Sequence, residues 1–204
     1  MVSIDKVDVD GFHKGIQYAL EKLGKSSLAL KEQQYQILKA IVMMKRDVLP
    51  VLPTAIVVVS PLNTLMQDQV EKLMAFTNVC VMKASTDLSD SSSDFQQSAQ
   101  IIFAHPEVFV HSQVMRDTTL QKRVRAVVVD EAHLIEEWKD FRPAYAKLGV
   151  LGNYFPQVPI VGITATANCK TQGVICDSLG LLEPAIIKIN PDRENIYFAS
   201  YKRK

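Results

Sequence analysis

The chain has 204 residues, of which 48% are hydrophobic and 22% charged, and its formal net charge is +1. This length suits one domain or one large lobe, and the composition excludes a disordered or fibrous chain. The near-zero net charge gives no bulk electrostatic reason to expect a nucleic-acid partner. No apolar run approaches the ~20 residues of a membrane span, and the charged N-terminus has no apolar signal segment. We therefore expect a soluble intracellular protein with no membrane partner.

The three cysteines stand far apart, at Cys80, Cys169 and Cys176, without any CxxC spacing. An odd, scattered set without a signal segment is typical of reduced intracellular thiols. Zinc sites need clustered ligands, so the sequence predicts no zinc.

Short apolar runs rich in β-branched residues alternate with helix-like stretches along the chain. Strands are predicted at residues 47–53, 55–60, 79–83, 100–104, 125–130, 159–164 and 185–189. Apolar residues at helical spacing predict helices over 30–45, 62–74, 143–154 and 168–179. The alternation predicts an α/β fold, doubly wound, with a mostly parallel sheet covered by helices on both faces.

The ends of the chain and one internal stretch carry weaker signals. Residues 86–93 are rich in Ser and Asp and are typical of a surface loop. The last residues are polar and then basic, which indicates either a linker or a frayed terminus. We divide the chain into N-terminal helices (1–46), a sheet-forming lobe (47–190) and a linker (191–204).

Two adjacent carboxylates, Asp130 and Glu131, end a predicted buried strand in the segment RAVVVDEAH. Open α/β sheets bind ligands at the carboxyl ends of their strands. Such a pair suits nucleotide hydrolysis, in which one carboxylate holds Mg²⁺ through water and the other polarises the attacking water. His133 follows where it could link this site to a neighbouring element. Alternatively, Asp130 caps the next helix and Glu131 lies in its first turn.

Hydroxyl residues end two further predicted strands. Thr164 and Thr166 follow PIVGI, and could relay the state of a phosphate site, although Thr166 could equally cap the helix that follows. Ser60 and Pro61 follow AIVVV and open a helix. They could hold a nucleic-acid phosphate, or form a plain helix cap with Pro at the first position.

The segment EEWKDFRPAYAKLG places Trp138, Phe141 and Tyr145 around Arg142 within eight residues. Aromatic rings interleaved with a guanidinium can stack on unpaired bases. The alternative is that Trp138 and Phe141 are packing anchors of a helix.

Together these segments resemble the RecQ family of superfamily 2 helicases. The matching stretches are VVVSPLNTLMQDQV, FAHPE, VVVDEAH, W-K-D-F-R-P-x-Y and ITATA, in that family's order. Residues 30–54 resemble the family's stretch from the adenine-reading glutamine to the edge of the phosphate loop. The resemblance runs from about residue 23 to 198, and DFRPxY at this distance after DEAH is its most specific part.

The resemblance implies two RecA-like lobes, of which this is the first, and ATP-driven 3′-to-5′ translocation that separates DNA strands in recombination and repair. Its cofactors would be ATP and Mg²⁺, and its partner single-stranded or forked DNA, in the nucleus of a eukaryote or the cytoplasm otherwise. The oligomeric state is not predicted. On the nucleotide side the implied roles are Mg²⁺ binding by Asp130, water activation by Glu131, adenine reading by Gln34, phosphate-loop contact by Thr54, and coupling by His133, Thr164 and Thr166. On the DNA side the implied contacts are Ser60, Pro61, Trp138, Phe141 and Arg142.

One departure from the family changes the expected activity. RecQ proteins continue the Pro-Thr of this region into a G-x-G-K-S loop, whereas here Thr54 is followed directly by Ala55 of the next predicted strand. No glycine lies between Gly24 and Gly149, so no substitute loop exists in that span. Such a loop needs glycines for its converging backbone N–H groups, a lysine on the phosphates and a hydroxyl on Mg²⁺. We therefore expect no ATP turnover.

The junction at Thr54–Ala55 also has a geometric consequence. Neighbouring parallel strands need a crossover of roughly a dozen residues, and the predicted strands 47–53 and 55–60 have none. Either they form one kinked strand, or the first is displaced and apolar sheet surface is exposed. Three alternatives stay open: a degenerate helicase lobe without ATPase activity, a skipped segment in the transcript of an active enzyme, and a non-enzymatic module that binds single-stranded DNA or a protein.

Overall fold

In the computed structural model of the chain, the described residues are 9–22, 24–25, 28–43, 55–61, 63–82, 98–111 and 118–188. The predicted strand at 47–53, Thr54, the loop at 86–93 and the linker at 191–204 lie outside them.

In the described residues five strands form one sheet, and its four pairings are all parallel. The strands are β1 (Ala55–Val59), β2 (Val79–Met82), β3 (Ile101–Ala104), β4 (Val124–Val129) and β5 (Ile160–Gly162). Their order is β2-β3-β1-β4-β5, so β1 is the central strand. The predicted parallel α/β fold is confirmed, and five of the seven predicted strands form, with ends that differ from the prediction by at most two residues.

The described helices are α1 (Val9–Lys22), α2 (Glu32–Met43), α3 (Asn63–Met74), α4 (Pro106–His111), α5 (Thr118–Arg123), α6 (Leu134–Glu137), α7 (Val150–Tyr154) and α8 (Cys169–Leu179). The ends of α8 show why its sequence folds there. The Asn168 side chain accepts a hydrogen bond from the Thr171 N–H, and Gly180 adopts the left-handed conformation that ends many helices. In the part of the chain that the structure describes, no helix has the length and apolarity needed to cross a membrane.

The two faces of the sheet are covered unequally. On one face Ala55, Val57 and Val59 of β1 are at most 1% exposed and belong to the main core. The neighbouring Ile56 points to the opposite face, since side chains alternate along a strand, and it is 41% exposed. That face is packed by α3, whose Met66 forms a second buried cluster with the β2–β3 side of the sheet. Helices therefore lie on both faces, but on the second face Ile56 is left partly exposed.

Two predicted elements are wrong. No strand forms over residues 185–188, where Ile186 is 56% exposed, because an apolar run becomes a strand only where a neighbouring strand supplies hydrogen bonds. The predicted helix 143–154 is a series of turns that becomes helical only at Val150.

The spacing of the buried residues explains these turns. Tyr145, Leu148 and Leu151 are each 0% exposed and follow one another at intervals of three. The backbone N–H of each one donates to the carbonyl three residues earlier, beginning at Arg142. This i to i+3 pattern keeps the three side chains on one line facing the core, which a 3.6-residue helix would not do.

Candidate functional site

The carboxyl ends of the parallel strands bring the predicted site residues to one edge of the sheet. The Asp130 backbone N–H, after β4, donates to the Val59 carbonyl of β1 at 2.9 Å. The Ala132 N–H donates to the Ile163 carbonyl, after β5, also at 2.9 Å. Because these bonds continue the strand pairing past the strands themselves, the residues after β1, β4 and β5 are held side by side.

The two carboxylates lie in a tight turn directly after β4. The Asp130 Oδ1 accepts a hydrogen bond from the Glu131 N–H at 3.0 Å, and Glu131 has a φ of 48°. A non-glycine residue in this left-handed region is strained, and such strain is found most often at functional sites. The next helix, α6, has His133 at its N-cap and no side-chain cap bond. The alternative in which Asp130 merely caps that helix is therefore wrong.

His133 joins the carboxylate turn to the residues after β5. Its Nδ1 lies 2.9 Å from the Thr164 Oγ1 and 3.3 Å from the Glu131 Oε2. The Thr164 hydroxyl accepts from the Thr166 N–H at 3.2 Å and donates to the Thr166 carbonyl at 3.1 Å. A proton on the His133 Nδ1 satisfies this set, because the Thr164 oxygen then accepts from the imidazole. The helix after Thr166 is capped by Asn168, so the capping alternative for Thr166 is wrong.

The chemistry of this edge fits a hydrated Mg²⁺ better than an all-protein metal cage. Asp130 and Glu131 offer carboxylate oxygens, which hard cations prefer. No group of three or more His, Cys, Asp or Glu side chains that could hold a metal occurs among the described residues. Mg²⁺ commonly uses one or two carboxylates and completes its shell with water and substrate phosphate. Asp130 is the residue that would hold it, with the Glu131 carboxylate beside it.

Gln34, which is predicted to read the adenine, forms its hydrogen bond within its own helix and not with this turn. The Gln34 Oε1 accepts from the Lys31 N–H at 3.0 Å, which stabilises the first turn of its own helix, α2. Its side chain is exposed. Thr54 lies outside the described residues.

In the aromatic segment one ring is exposed to solvent and a neighbouring ring packs against the core. Phe141 is 79% exposed, whereas Trp138 is half-buried against the main core. Trp138 contacts Phe141 and Tyr145 edge-on, with ring centroids 5.6 and 6.1 Å apart. The packing alternative therefore describes Trp138 but not Phe141.

Arg142 holds this segment to two other parts of the sheet edge. Its Nε and Nη2 donate to the two carboxylate oxygens of Glu107, on α4, at 2.6 and 2.8 Å. Its Nη1 donates to the Pro61 carbonyl, after β1, at 2.6 Å, and its Nη2 lies 3.4 Å from the His105 Nδ1. Two-point pairing of a guanidinium with a carboxylate fixes orientation as well as distance. In this conformation Arg142 holds the aromatic segment to Glu107 and Pro61, and its guanidinium is not free to stack on a base.

The environment of Glu107 favours its charged form. Burial acts to raise the pKa of this carboxyl, but the hydrogen bond from Arg142, the bond from its own backbone and the positive charge of Arg142 outweigh burial, so the net pKa is lowered. Glu107 is therefore ionised at neutral pH, as the ion pair requires.

Two hydroxyls at this edge are buried without a hydrogen-bond partner among the described residues: Ser60 Oγ and Tyr145 Oη. Both residues are 0% exposed. A nucleic-acid phosphate cannot reach the Ser60 hydroxyl in this conformation. The predicted phosphate contact at this turn is thus not supported for Ser60, while Pro61 contributes its carbonyl to Arg142 instead.

The sequence alone missed the part played by Glu107 and His105. FAHPE marks the end of a strand followed by an acid, and parallel strands place such ends at the same edge. This pattern would have predicted Glu107 as a partner for Arg142, the only arginine of the aromatic segment.

Comparison with known proteins agrees with these features. The profile of the DEAD/DEAH box helicase family matches residues 23–173. The chain is 34% identical to the ATP-dependent DNA helicase RecQ of Pasteurella multocida, over 69% of this chain and 23% of that protein. It is 30% identical to the ATP-dependent DNA helicase RecQ of Synechocystis, over 75% of this chain and 38% of that protein.

A plant relative gives the same result. The chain is 29% identical to the ATP-dependent DNA helicase Q-like 4B of Arabidopsis thaliana, over 70% of this chain and 13% of that protein. The chain therefore spans less than two fifths of the length of each of these three relatives.

Proposed function

This chain belongs to the DEAD/DEAH box helicase family and is similar to RecQ-type DNA helicases, and from that premise we propose that it is the first motor lobe of a RecQ-like, ATP-dependent 3′-to-5′ DNA helicase. We propose further that this chain holds single-stranded DNA through its aromatic segment but does not turn over ATP by itself.

The observation that carries the DNA-binding proposal is the presentation of Phe141. A ring that is 79% exposed is a poor packing residue but a good platform for an unpaired base. Its neighbours Trp138 and Arg142 are fixed, the first by the core and the second by Glu107 and the Pro61 carbonyl. Because the side chains that support Phe141 are already held in place, little conformational entropy is lost when DNA binds, and this favours affinity.

The proposal that ATP is not turned over rests on the sequence. The carboxylates Asp130 and Glu131 face a triphosphate without the lysine and the glycine-borne N–H groups that normally offset its charge. Like charges in a partly buried site repel strongly, so nucleotide affinity is expected to be low.

The DNA-binding proposal is tested by the fluorescence anisotropy of a labelled oligothymidylate titrated with the chain. Stacking of one base is worth roughly 1–3 kcal/mol, so Phe141→Ala is expected to weaken binding by about 5- to 150-fold. Phe76→Ala is the matched control, since Phe76 is also exposed, at 51%, and follows α3 rather than belonging to the aromatic segment. Equal affinities of the two variants, or no binding by the wild-type chain, would contradict the proposal.

A further inference from the structure

Strand β5 lies at one edge of the sheet, and part of its backbone faces away from the other strands. Within the described residues β5 pairs with β4 alone. The Ile163 N–H, directly after β5, donates to the Val129 carbonyl of β4 at 2.9 Å. Because backbone groups point alternately to the two sides of a strand, those of Gly162 and Ile160 face away from β4. Their N–H and carbonyl groups form no hydrogen bond with any described residue.

The opposite edge of the sheet, strand β2, is better covered. Val79 and Cys80 of β2 are 1% and 7% exposed, so most of that strand is closed to a further strand. In β5 no residue is buried, and Gly162 is exposed. A glycine has no side chain that could shield its backbone groups from an approaching chain. The β5 edge is therefore the edge that an added strand can reach.

The sequence of β5 lacks the features that usually keep an exposed edge from pairing. Such edges are protected by charged side chains, by proline or by a bulge. Residues 160–163 read Ile-Val-Gly-Ile, without a charge or a proline, and the register of β5 with β4 is regular. Pro159 precedes the strand, but its carbonyl points to β4, so its missing N–H is not on the outward side. Ile163 adds an apolar side chain that is 44% exposed.

The strand is complementary to a second copy of itself. In an antiparallel pair centred on Val161, Ile160 of each copy lies opposite Gly162 of the other. Residues opposed in this way exchange both of their backbone hydrogen bonds, so every outward group of the strand is satisfied. The Ile160 side chain then meets a residue without a side chain, which avoids crowding across the pair. A shift by one residue would oppose outward groups to inward ones and lose these bonds.

We propose that the β5 edge is an interface through which two copies of this chain associate, in the antiparallel register centred on Val161. The contact has the two-fold symmetry of most homodimers, and it joins the two five-stranded sheets into one. The strand is short, with three residues, so the contact is a weak and reversible one rather than an obligate dimer. Neither DNA binding nor ATP turnover enters this inference.

Disulfide trapping tests the register. Val161→Cys and Val81→Cys are made in a background of Cys169→Ser and Cys176→Ser, which removes the natural thiols that are not buried. The two Val161 positions oppose each other with Cβ atoms roughly 4.5–5.5 Å apart, close enough for a disulfide after a small adjustment. Val81 is the matched control because it is 37% exposed on the opposite edge strand. We expect Val161→Cys to give at least about five times more linked dimer than Val81→Cys on mild oxidation.

Sedimentation equilibrium of the chain with its natural cysteines gives an independent test. Between about 10 μM and 1 mM, the range of weak affinities, the average mass should rise from that of one chain toward twice that value. Ile163→Lys places a charge beside the edge and should abolish this rise. Ile56→Lys changes a residue of similar exposure, 41%, on the central strand and should leave the rise unchanged.

Three outcomes would overturn the proposal. The first is a chain that stays monomeric at 1 mM (roughly the weakest affinity that this range reports), as it would if another segment of the same chain covered the edge. The second is equal trapping of Val161→Cys and Val81→Cys. The third is a mass increase that survives Ile163→Lys. Should Val161→Cys not fold, the comparison of Ile163→Lys with Ile56→Lys decides.

Discussion

Removing the charge of Glu107 should weaken its ion pair with Arg142, which holds the aromatic segment to the sheet edge. Glu107→Gln keeps the size and shape of the side chain and one acceptor oxygen, but it loses the ion pair with Arg142. The wild-type pair has two bonds, of 2.6 and 2.8 Å, between side chains that are 22% and 29% exposed. The pair is therefore mostly, but not fully, withdrawn from water.

The expected magnitude follows from that intermediate burial. Exposed ion pairs contribute about 0–1 kcal/mol, and breaking a fully buried pair costs roughly 3–5 kcal/mol. For a pair between these limits, with one hydrogen bond kept by the glutamine, we expect a loss of about 2 kcal/mol in the free energy of unfolding. With a typical urea dependence of ~2 kcal/mol per molar, the unfolding midpoint should fall by about 1 M.

The assay is urea unfolding followed by circular dichroism at pH 7. Glu137→Gln is the matched control, because Glu137 is 59% exposed and its contact with the His133 Nε2 is long, at 4.0 Å. The control should stay within about 0.5 kcal/mol of the wild type. Equal unfolding midpoints for Glu107→Gln and Glu137→Gln would show that the Glu107–Arg142 pair does not stabilise the fold.

The same pair predicts a pH dependence. The folded-state pKa of Glu107 is lowered, so the stability that its ionised form contributes is fully present above the ordinary glutamate pKa of ~4.3 and is lost as the pH falls through the folded value. The difference between wild type and Glu107→Gln should thus shrink below about pH 4. A difference that grows on acidification would contradict the assignment of the shift to this pair.

Two further predictions concern the fold and use the same unfolding assay. Val57→Thr should lower the free energy of unfolding by about 1–3 kcal/mol, because it places a hydroxyl at a fully buried position. Ile56 lies on the opposite face of the same strand and is 41% exposed, so Ile56→Thr should lower it by less than about 1 kcal/mol. Equal losses would mean that this face is covered in solution. Gly149→Ala should lower the free energy of unfolding by about 1–3 kcal/mol, because its new Cβ would lie 2.7 Å from the Ser178 carbonyl oxygen. Gly152→Ala, with open space around the new Cβ, should be neutral or slightly stabilising. A larger loss for Gly152→Ala than for Gly149→Ala would contradict the packing of α7 against α8.

The sheet could be predicted from the sequence because buried parallel strands leave long apolar, β-branched runs such as AIVVV and RAVVV. Helical turns were harder to place. The apolar positions Tyr145, Leu148 and Leu151 fit a spacing of 3.0 as well as 3.6 residues, and only the hydrogen bonds distinguish the two. The apolar run at 185–189 looked like a strand because the sequence does not reveal whether a neighbouring strand is available.

The site was predictable where its residues follow strand ends and not where it depends on strand order. Asp130, Glu131, His133 and Thr164 were nominated from the sequence, and the structure brings them within hydrogen-bond or ion-pair distance. The pairing of Arg142 with Glu107 spans 35 residues. It arises because β3 and β4 flank the same central strand, so the residues after both meet at one edge.

We propose that Asp130 and Glu131 are hydrolysis carboxylates to which this chain presents no triphosphate, because the glycines and the lysine of a phosphate loop are missing from its sequence. Release of phosphate from ATP and Mg²⁺ in the presence of saturating single-stranded DNA tests it most directly, with Glu131→Gln as the reference. We predict that the wild-type chain releases no more phosphate than this variant. Turnover by the wild-type chain that disappears on Glu131→Gln would contradict the claim.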